Sequence, residues 1–180
     1  GFFLMNKERL GNFIKEYKFD ISLIFIAFTV FVFLLLNFSI KYINGSSMEP
    51  TYKDGNILVI KKGKSIQKDD IILFNAPKSW DTKEKVYIKR VIALGNDKLE
   101  INNNEVYVNN EVVKLSPKIC EGVEDISITL KDNQYFVMGD NITLSNDGFE
   151  QYCKGNSEVL ITKDRVILFG EEFIKFGGIR

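Results

Sequence analysis

Twenty consecutive residues, Ile21 to Ile40 (ISLIFIAFTVFVFLLLNFSI), carry no charge, and only Ser22, Thr29, Asn37 and Ser39 among them are polar. As an α-helix such a run is about 30 Å long, which matches the hydrocarbon core of a bilayer. It is apolar on every side, so it reads as a spanning helix and not as one lying in the interface. A cleaved leader would have a shorter apolar core of roughly 7–15 residues and a small-residue cleavage site. Here the long run is followed directly by Lys41 and Tyr42. A core helix would need a large body around it, and the rest of the chain is strand-like. Lys7, Arg9, Lys15 and Lys18 precede the run, whereas Lys41 stands almost alone behind it. The excess of positive charge on the cytoplasmic side predicts residues 1–20 inside the cell, a transmembrane helix over 21–40, and residues 41–180 as an extracytoplasmic domain of the cell membrane. Gly1 to Leu4 precede the first methionine, and their origin stays open at this point.

Beyond the apolar run, short β-branched segments alternate with turn signals. Strands are expected over 57–60, 71–74, 86–94, 98–101, 105–108, 127–130, 135–138 and 165–169. Asn102-Asn103-Asn104 and Asn109-Asn110 separate neighbouring segments, and asparagine tolerates the positive φ of tight hairpins. No helical period is visible in this part, so the fold class is mainly β: a strand-rich domain behind one amino-terminal transmembrane helix. The polar stretch from Ser79 to Lys85 is expected to be an exposed loop.

Composition narrows the chemistry. Lys and Arg total 24, Asp and Glu total 24, and outside residues 1–20 the balance is 20 against 21. That is no footprint for nucleic acid. The chain has no histidine, which removes Ser-His-Asp and Cys-His designs and histidine-built zinc sites. A hydroxyl nucleophile would need lysine, a carboxylate or an amino terminus as its base. Cys120 and Cys153 are too few for a metal site; one disulfide and two unrelated thiols are both open. Neither a metal nor a cofactor is expected.

Two segments offer the missing pieces. Asn44-Gly45-Ser46-Ser47-Met48-Glu49-Pro50-Thr51 follows the apolar run closely. Gly45 allows close backbone approach and Pro50 sets the chain direction, so Ser47 could be an exposed nucleophile on a rigid bend. Lys89 lies in Val86-Tyr87-Ile88-Lys89-Arg90-Val91-Ile92-Ala93-Leu94. Strand alternation puts it on one face with Tyr87 and Val91, and Arg90 on the other with Ile88 and Ile92. Burial among apolar side chains would lower its pKa from about 10.4 by disfavouring the ammonium.

Taken together, these segments resemble the type I signal peptidases. Ser47-Met48-Glu49-Pro50-Thr51 resembles that family's S-M-x-P-T box, and Lys89-Arg90-Val91-Ile92 its K-R-V-I box. Asp70-Ile71-Ile72-Leu73-Phe74 is similar to the box between them, and Gly139-Asp140-Asn141 with Ser145 and Asp147 to the fourth box, G-D-N-x-x-x-S-x-D. The resemblance implies coiled antiparallel sheets, Ser47 as nucleophile, Lys89 as general base, and Ser145 as the group that hydrogen-bonds and orients the Lys89 amine. It implies supporting roles for Asp140 and Asp147 and a turn shaped by Gly139, Asp140 and Asn141. The implied partners are secretory preproteins with small residues before the cut, and the lipid bilayer.

The sequence departs from the family at Ile142, Gly148 and Phe149, where arginine and Ser-Arg are usual, so no arginine follows Asp147 to pair with it. Gly45 stands where some members place an oxyanion-binding serine; Ser46 comes one residue later. The implied reaction is a Ser/Lys dyad acting on an extended peptide at a strand edge. Three other readings compete with it. One is a specialised relative serving a single client class such as surface-fibre (pilin) subunits. Another is a non-catalytic anchored module that binds extended peptides. The third is the self-cleaving repressor type, disfavoured by the apolar span and the lack of a DNA-binding segment.

Overall fold

The computed structural model describes residues 7–83, 85–102, 104–115 and 120–177. Residues 1–4 and Asn103 lie outside this set. The chain divides into two units, residues 1–38 and 39–180, each considered by itself.

The first unit is one helix, α1 (Lys7–Asn37), with a kink at Tyr17 where φ and ψ are −103° and 15°. Within Lys15–Asn37 an 18-residue window reaches a mean hydropathy of 2.7, and the segment is long and apolar enough to cross a membrane. Its polar side chains turn back on their own helix: Ser22 Oγ donates to the Phe19 carbonyl at 2.7 Å, Thr29 Oγ1 to Phe25 at 2.8 Å, and Asn37 Nδ2 to Phe33 at 2.8 Å. Each thus satisfies a hydrogen-bonding group that lipid could not. The helix ends three residues before the expected limit at Ile40. Phe38–Tyr42 is instead strand β1, where Ile40 and Tyr42 share an exposed face in the two-residue period of a strand.

Eleven strands follow α1 among the described residues. β1, β2 (Ile57–Lys62), β3 (Ile71–Asn75), β4 (Val86–Ala93), β9 (Gln134–Met138), β10 (Ile161–Thr162) and β11 (Val166–Phe176) form one sheet in the order β1-β2-β11-β3-β4-β9-β10. β5 (Lys98–Asn102), β6 (Glu105–Val108), β7 (Glu111–Leu115) and β8 (Ile126–Thr129) form another, ordered β7-β6-β5-β8. In the first, the pairings on either side of β4, with β3 and with β9, are antiparallel. β9 is buried on both faces. Phe136 and Met138 join Leu99, Ile101 and Val106 of the small sheet in one apolar cluster, while Val137 joins Ile72, Phe74 and Val91 in another. A third cluster holds Ile43, Met48, Tyr52, Leu58 and Ile60.

The asparagine turns form as expected. Asn109 and Asn110 have φ of 54° and 68° and join β6 to β7, and Asn104 has φ of 64°. Two expectations need correction. Trp80 is buried and packs edge-on against Phe74, centroids 5.9 Å apart, so the stretch from Ser79 is not simply an exposed loop. A short helix, α2 (Gly148–Cys153), appears where no helical period was visible; six residues are too few to display one.

Cys120 and Cys153 are joined in a disulfide with Cα atoms 4.8 Å apart, tying the segment before β8 to the end of α2. The Cys120→Ala/Cys153→Ala double variant of the full chain in detergent should lose about 2–4 kcal/mol of unfolding free energy. Denaturant titration should show the gap closing when the parent chain is reduced; identical midpoints for the oxidised parent and the variant would contradict a structural cross-link.

Candidate active site

The segment between β1 and β2 is a closed loop. Ile43 N–H donates to the Asn56 carbonyl at 2.8 Å and Gly55 N–H to the Ile43 carbonyl at 2.9 Å. Inside that closure, Gly45 has φ of +93° and its N–H donates to Asp54 Oδ1 at 2.7 Å. That φ suits glycine because it has no Cβ. Met48 and Tyr52 are buried and anchor the loop in the third apolar cluster. Ser46 and Ser47, between Gly45 and Met48, are half-buried.

Across from this loop, Lys89 sits in β4, paired with Ile72 of β3. It lies on the buried side of the strand with Val91 and Ala93, as alternation predicts, and is 3% exposed. Lys89 Nζ is hydrogen-bonded to Ser47 Oγ at 2.8 Å. Burial pushes the amine down to about 8, against the opposing pull of the Asp147 and Asp140 carboxylates. A lysine so placed exchanges its proton in the range where a base works near neutral pH.

The segment after β9 supports both side chains. Gly139 N–H donates to Asp147 Oδ2 at 2.7 Å. A Cβ at Gly139 would lie 2.3 Å from both Ser145 Oγ and the Ser47 carbonyl oxygen, so no larger residue fits without displacing them. Asn141 grips the other loop twice: its N–H donates to the Ser47 carbonyl at 3.1 Å and its Nδ2 to the Ser46 carbonyl at 3.2 Å. Asp140 takes Arg90 in a two-point ion pair, Nε to Oδ1 at 2.9 Å and Nη2 to Oδ2 at 2.7 Å. Arg90 also donates through Nη1 to the Asp69 carbonyl at 2.9 Å.

Asp147, 2% exposed, has no arginine following it and instead caps α2. Its Oδ1 accepts from Phe149 N–H at 3.0 Å and Glu150 N–H at 3.1 Å. Burial pushes its carboxyl up, and the Gly139 N–H is the largest counterweight. Ser145, 4% exposed, departs from expectation. Its hydroxyl packs on Gly139, and although the Asp147 carboxylate is near enough to feel it, the geometry of a hydrogen bond is not met. Ser145 Oγ has no bonded partner among the described residues, so the expected bond to the Lys89 amine is not formed.

The structure therefore gathers Ser46, Ser47, Lys89, Gly139, Asn141, Ser145 and Asp147 around one point, with Asp140 holding Arg90 beside it. Residues 15–152 match the family described as signal peptidase, peptidase S26. The chain belongs to this family of signal peptidases. It is 31% identical over 168 residues to signal peptidase I U of Bacillus subtilis, covering 84% of this chain and 87% of that protein. It is 32% identical to signal peptidase IB of Staphylococcus aureus, covering 79% and 81% respectively. A probable signal peptidase I-1 of Synechocystis matches at 34% over 76% and 73%. Among solved structures, a signal peptidase I from Enterococcus faecalis matches with a TM-score of 0.39 at 21% identity, over 57% of this chain and 94% of that one. The family assignment makes the chain a serine endopeptidase, and with α1 it supports a membrane-anchored one.

The sequence alone does not give the roles of three residues around the point. Asp54 carries no family signature, and its link to Gly45 depends on loop closure. Arg90 was seen as the second cation of its strand, but its partner Asp140 is fifty positions away. Tyr87 was placed on the face of Lys89, and its ring centroid is 5.3 Å from the amine. Asp147→Ala should remove the cap of α2 and strand the buried Gly139 N–H, which together destabilise the domain by at least about 2 kcal/mol. Thermal unfolding would test this, and Asp147→Asn, whose single amide oxygen can still accept from the α2 N–H groups but not also from Gly139, should recover only part of the loss.

Proposed function

We propose that Ser47 is the acylating nucleophile and Lys89 its general base in an endopeptidase that removes signal peptides from exported preproteins. The observation that carries the reading is the 2.8 Å contact between a hydroxyl and an amine that burial brings down to about 8. As Ser47 Oγ attacks the scissile carbonyl, its proton passes to neutral Lys89. The ammonium then protonates the leaving amine, and water, deprotonated by the same lysine, hydrolyses the acyl-enzyme. The Ser47 N–H has no acceptor among the described residues and is available to the oxyanion. The Gly45 N–H is committed to Asp54 and is not. Losing one such donor costs about 2.7–4 kcal/mol of barrier where it has been measured. Ser145 would turn to the amine once the lysine is charged, and Asp140, Asp147, Gly139 and Asn141 hold the frame.

The substrate would lie extended along a strand edge with its small residues in shallow pockets. Names of the similar proteins, signal peptidase I throughout, favour this reaction over a pilin-specific relative or a non-catalytic binding module. In the membrane, α1 would span the bilayer with the amino terminus in the cytoplasm and the β-domain outside the cell. The basic residues before the span and the Cys120–Cys153 disulfide, which suits an oxidising space, both support that orientation.

In vesicles, kcat/KM on a preprotein should rise with pH through about 8, because only the neutral amine is a base. At pH 7 it should stand at roughly a tenth of its plateau. Lys89→Ala and Ser47→Ala should each abolish turnover while the circular dichroism spectrum is unchanged, and Leu in place of Ala just before the cut should block processing. Turnover surviving Lys89→Ala would remove the dyad.

A further inference from the structure

Lysine as a base has a difficulty that burial alone creates. Excluding water makes the neutral amine available, but it also penalises the ammonium formed when the proton arrives. An environment that helps only the charged form would stabilise the ammonium developing in the transition state while leaving the neutral, reactive amine alone. One group beside Lys89 has that property.

Strand alternation in β4 sets Tyr87 and Lys89 on one face, and the amine lies 5.3 Å from the Tyr87 ring centroid. An aromatic face attracts a cation through its quadrupole and has little hold on a neutral amine. The ring is fixed at both ends. Its hydroxyl donates to Asp81 Oδ2 at 3.1 Å and accepts from Asn146 Nδ2 at 2.9 Å. The ring forms a T-shaped pair with Phe74, interplanar angle 81° and centroids 6.1 Å apart. Asn146 is itself held: Nδ2 also donates to the Trp80 carbonyl at 3.2 Å, and Oδ1 accepts from Gln151 Nε2 at 2.6 Å. Burial pushes the Tyr87 phenol up, which keeps the ring neutral through the working range.

We propose that the Tyr87 ring, clamped by Asp81 and Asn146, receives the positive charge that Lys89 acquires on taking the Ser47 proton. This rests on the Ser/Lys dyad proposed above. In the step concerned, the Ser47 O–H bond breaks and a Lys89 N–H bond forms while Oγ bonds to the scissile carbon. The new ammonium lies against the ring until it protonates the leaving amine. The charged groups bearing on the amine are Asp147 and Asp140. Those bearing on the Tyr87 hydroxyl side are Asp81 with Lys83 and Lys85 behind it. Asp140 is held by Arg90, and Asp147 by the N–H groups of Gly139, Phe149 and Glu150, none of them through Tyr87, so the ring's effect can be isolated.

The test is the pH dependence of kcat/KM for the full chain, its Tyr87→Leu variant and its Tyr87→Phe variant in vesicles. Leucine keeps the surroundings apolar but removes the quadrupole. The acid limb should then move to lower pH by about 0.4–1.5 units, and plateau kcat should fall roughly 2- to 30-fold. Phenylalanine keeps the ring, so its limb should stay within about 0.3 unit of the parent's. A residue that merely filled space would, when replaced, admit water and move the limb upward or leave it still; either result overturns the proposal. Should Tyr87→Leu be too slow to assay, the ε-carbon of Lys89 can be titrated by NMR in a Ser47→Ala background, with and without Tyr87→Leu. The same downward shift is expected, and its absence is equally decisive. Lys89→Ala, run alongside, separates the two ideas: full activity there sinks the dyad, whereas an inactive variant with an unmoved limb in Tyr87→Leu sinks only the role of the ring.

Discussion

Lys89 Nζ is held 2.8 Å from a serine hydroxyl in a place water scarcely reaches, and two carboxylates stand near enough to oppose its deprotonation. If either carboxylate paired with the amine, the charged form would be favoured and the base lost. The neighbouring groups prevent that. Arg90 takes both oxygens of Asp140. The N–H groups of Gly139, Phe149 and Glu150 occupy Asp147. With the two anions engaged elsewhere, desolvation outweighs their residual pull, and the amine falls from 10.5 to about 8. Lys89 and Arg90 are adjacent on one strand, so alternation sends one cation inward as a base and the other outward as a clamp.

The serine is positioned by a different kind of force. Its loop has no regular structure of its own, so it is fixed from three sides. Met48 and Tyr52 sink into the apolar cluster below, Asp54 closes the loop through the Gly45 N–H, and Asn141 takes the carbonyls of Ser46 and Ser47 from across the site. Gly139 completes this by having no side chain. Its Cα lies where a methyl group would meet both Ser145 and the Ser47 backbone. Such packing leaves the nucleophile few alternative positions, which is what orientation-dependent catalysis needs.

Most of this was readable from the residues where the signal is local. The apolar run, the alternation in β4 that sets Lys89 and Arg90 on opposite faces, and the paired asparagines at the β6–β7 turn all depend on neighbours a few positions away. What could not be read depends on distant contacts. α2 is six residues long and exists because Asp147 caps it and Phe149 and Tyr152 bury against the small sheet. Trp80 is drawn out of a polar stretch by Phe74. The pairing of Cys120 with Cys153 was open until the fold brought their Cα atoms to 4.8 Å. Ser145 shows the limit of a resemblance: the position is where the family pattern puts it, yet its hydroxyl rests on Gly139 and not on the amine. The role of Asp147 shows the reverse, since the missing arginine left it unexplained and the helix cap explains it.

A base that is mostly protonated at neutral pH is a slow base, and the proposed dyad accepts that disadvantage in a chain without histidine. What can offset it is the encounter with substrate. A preprotein held by its own apolar segment and an enzyme held by α1 would share one thin layer, so that even shallow pockets meet their ligand at a high effective concentration. Weak binding is then tolerable, and interaction energy can be reserved for groups that act only after the proton has moved. A buried amine, an aromatic face beside it and carboxylates tied to other donors form such an arrangement: the neutral state is made available by desolvation, and the charged state is met where it forms.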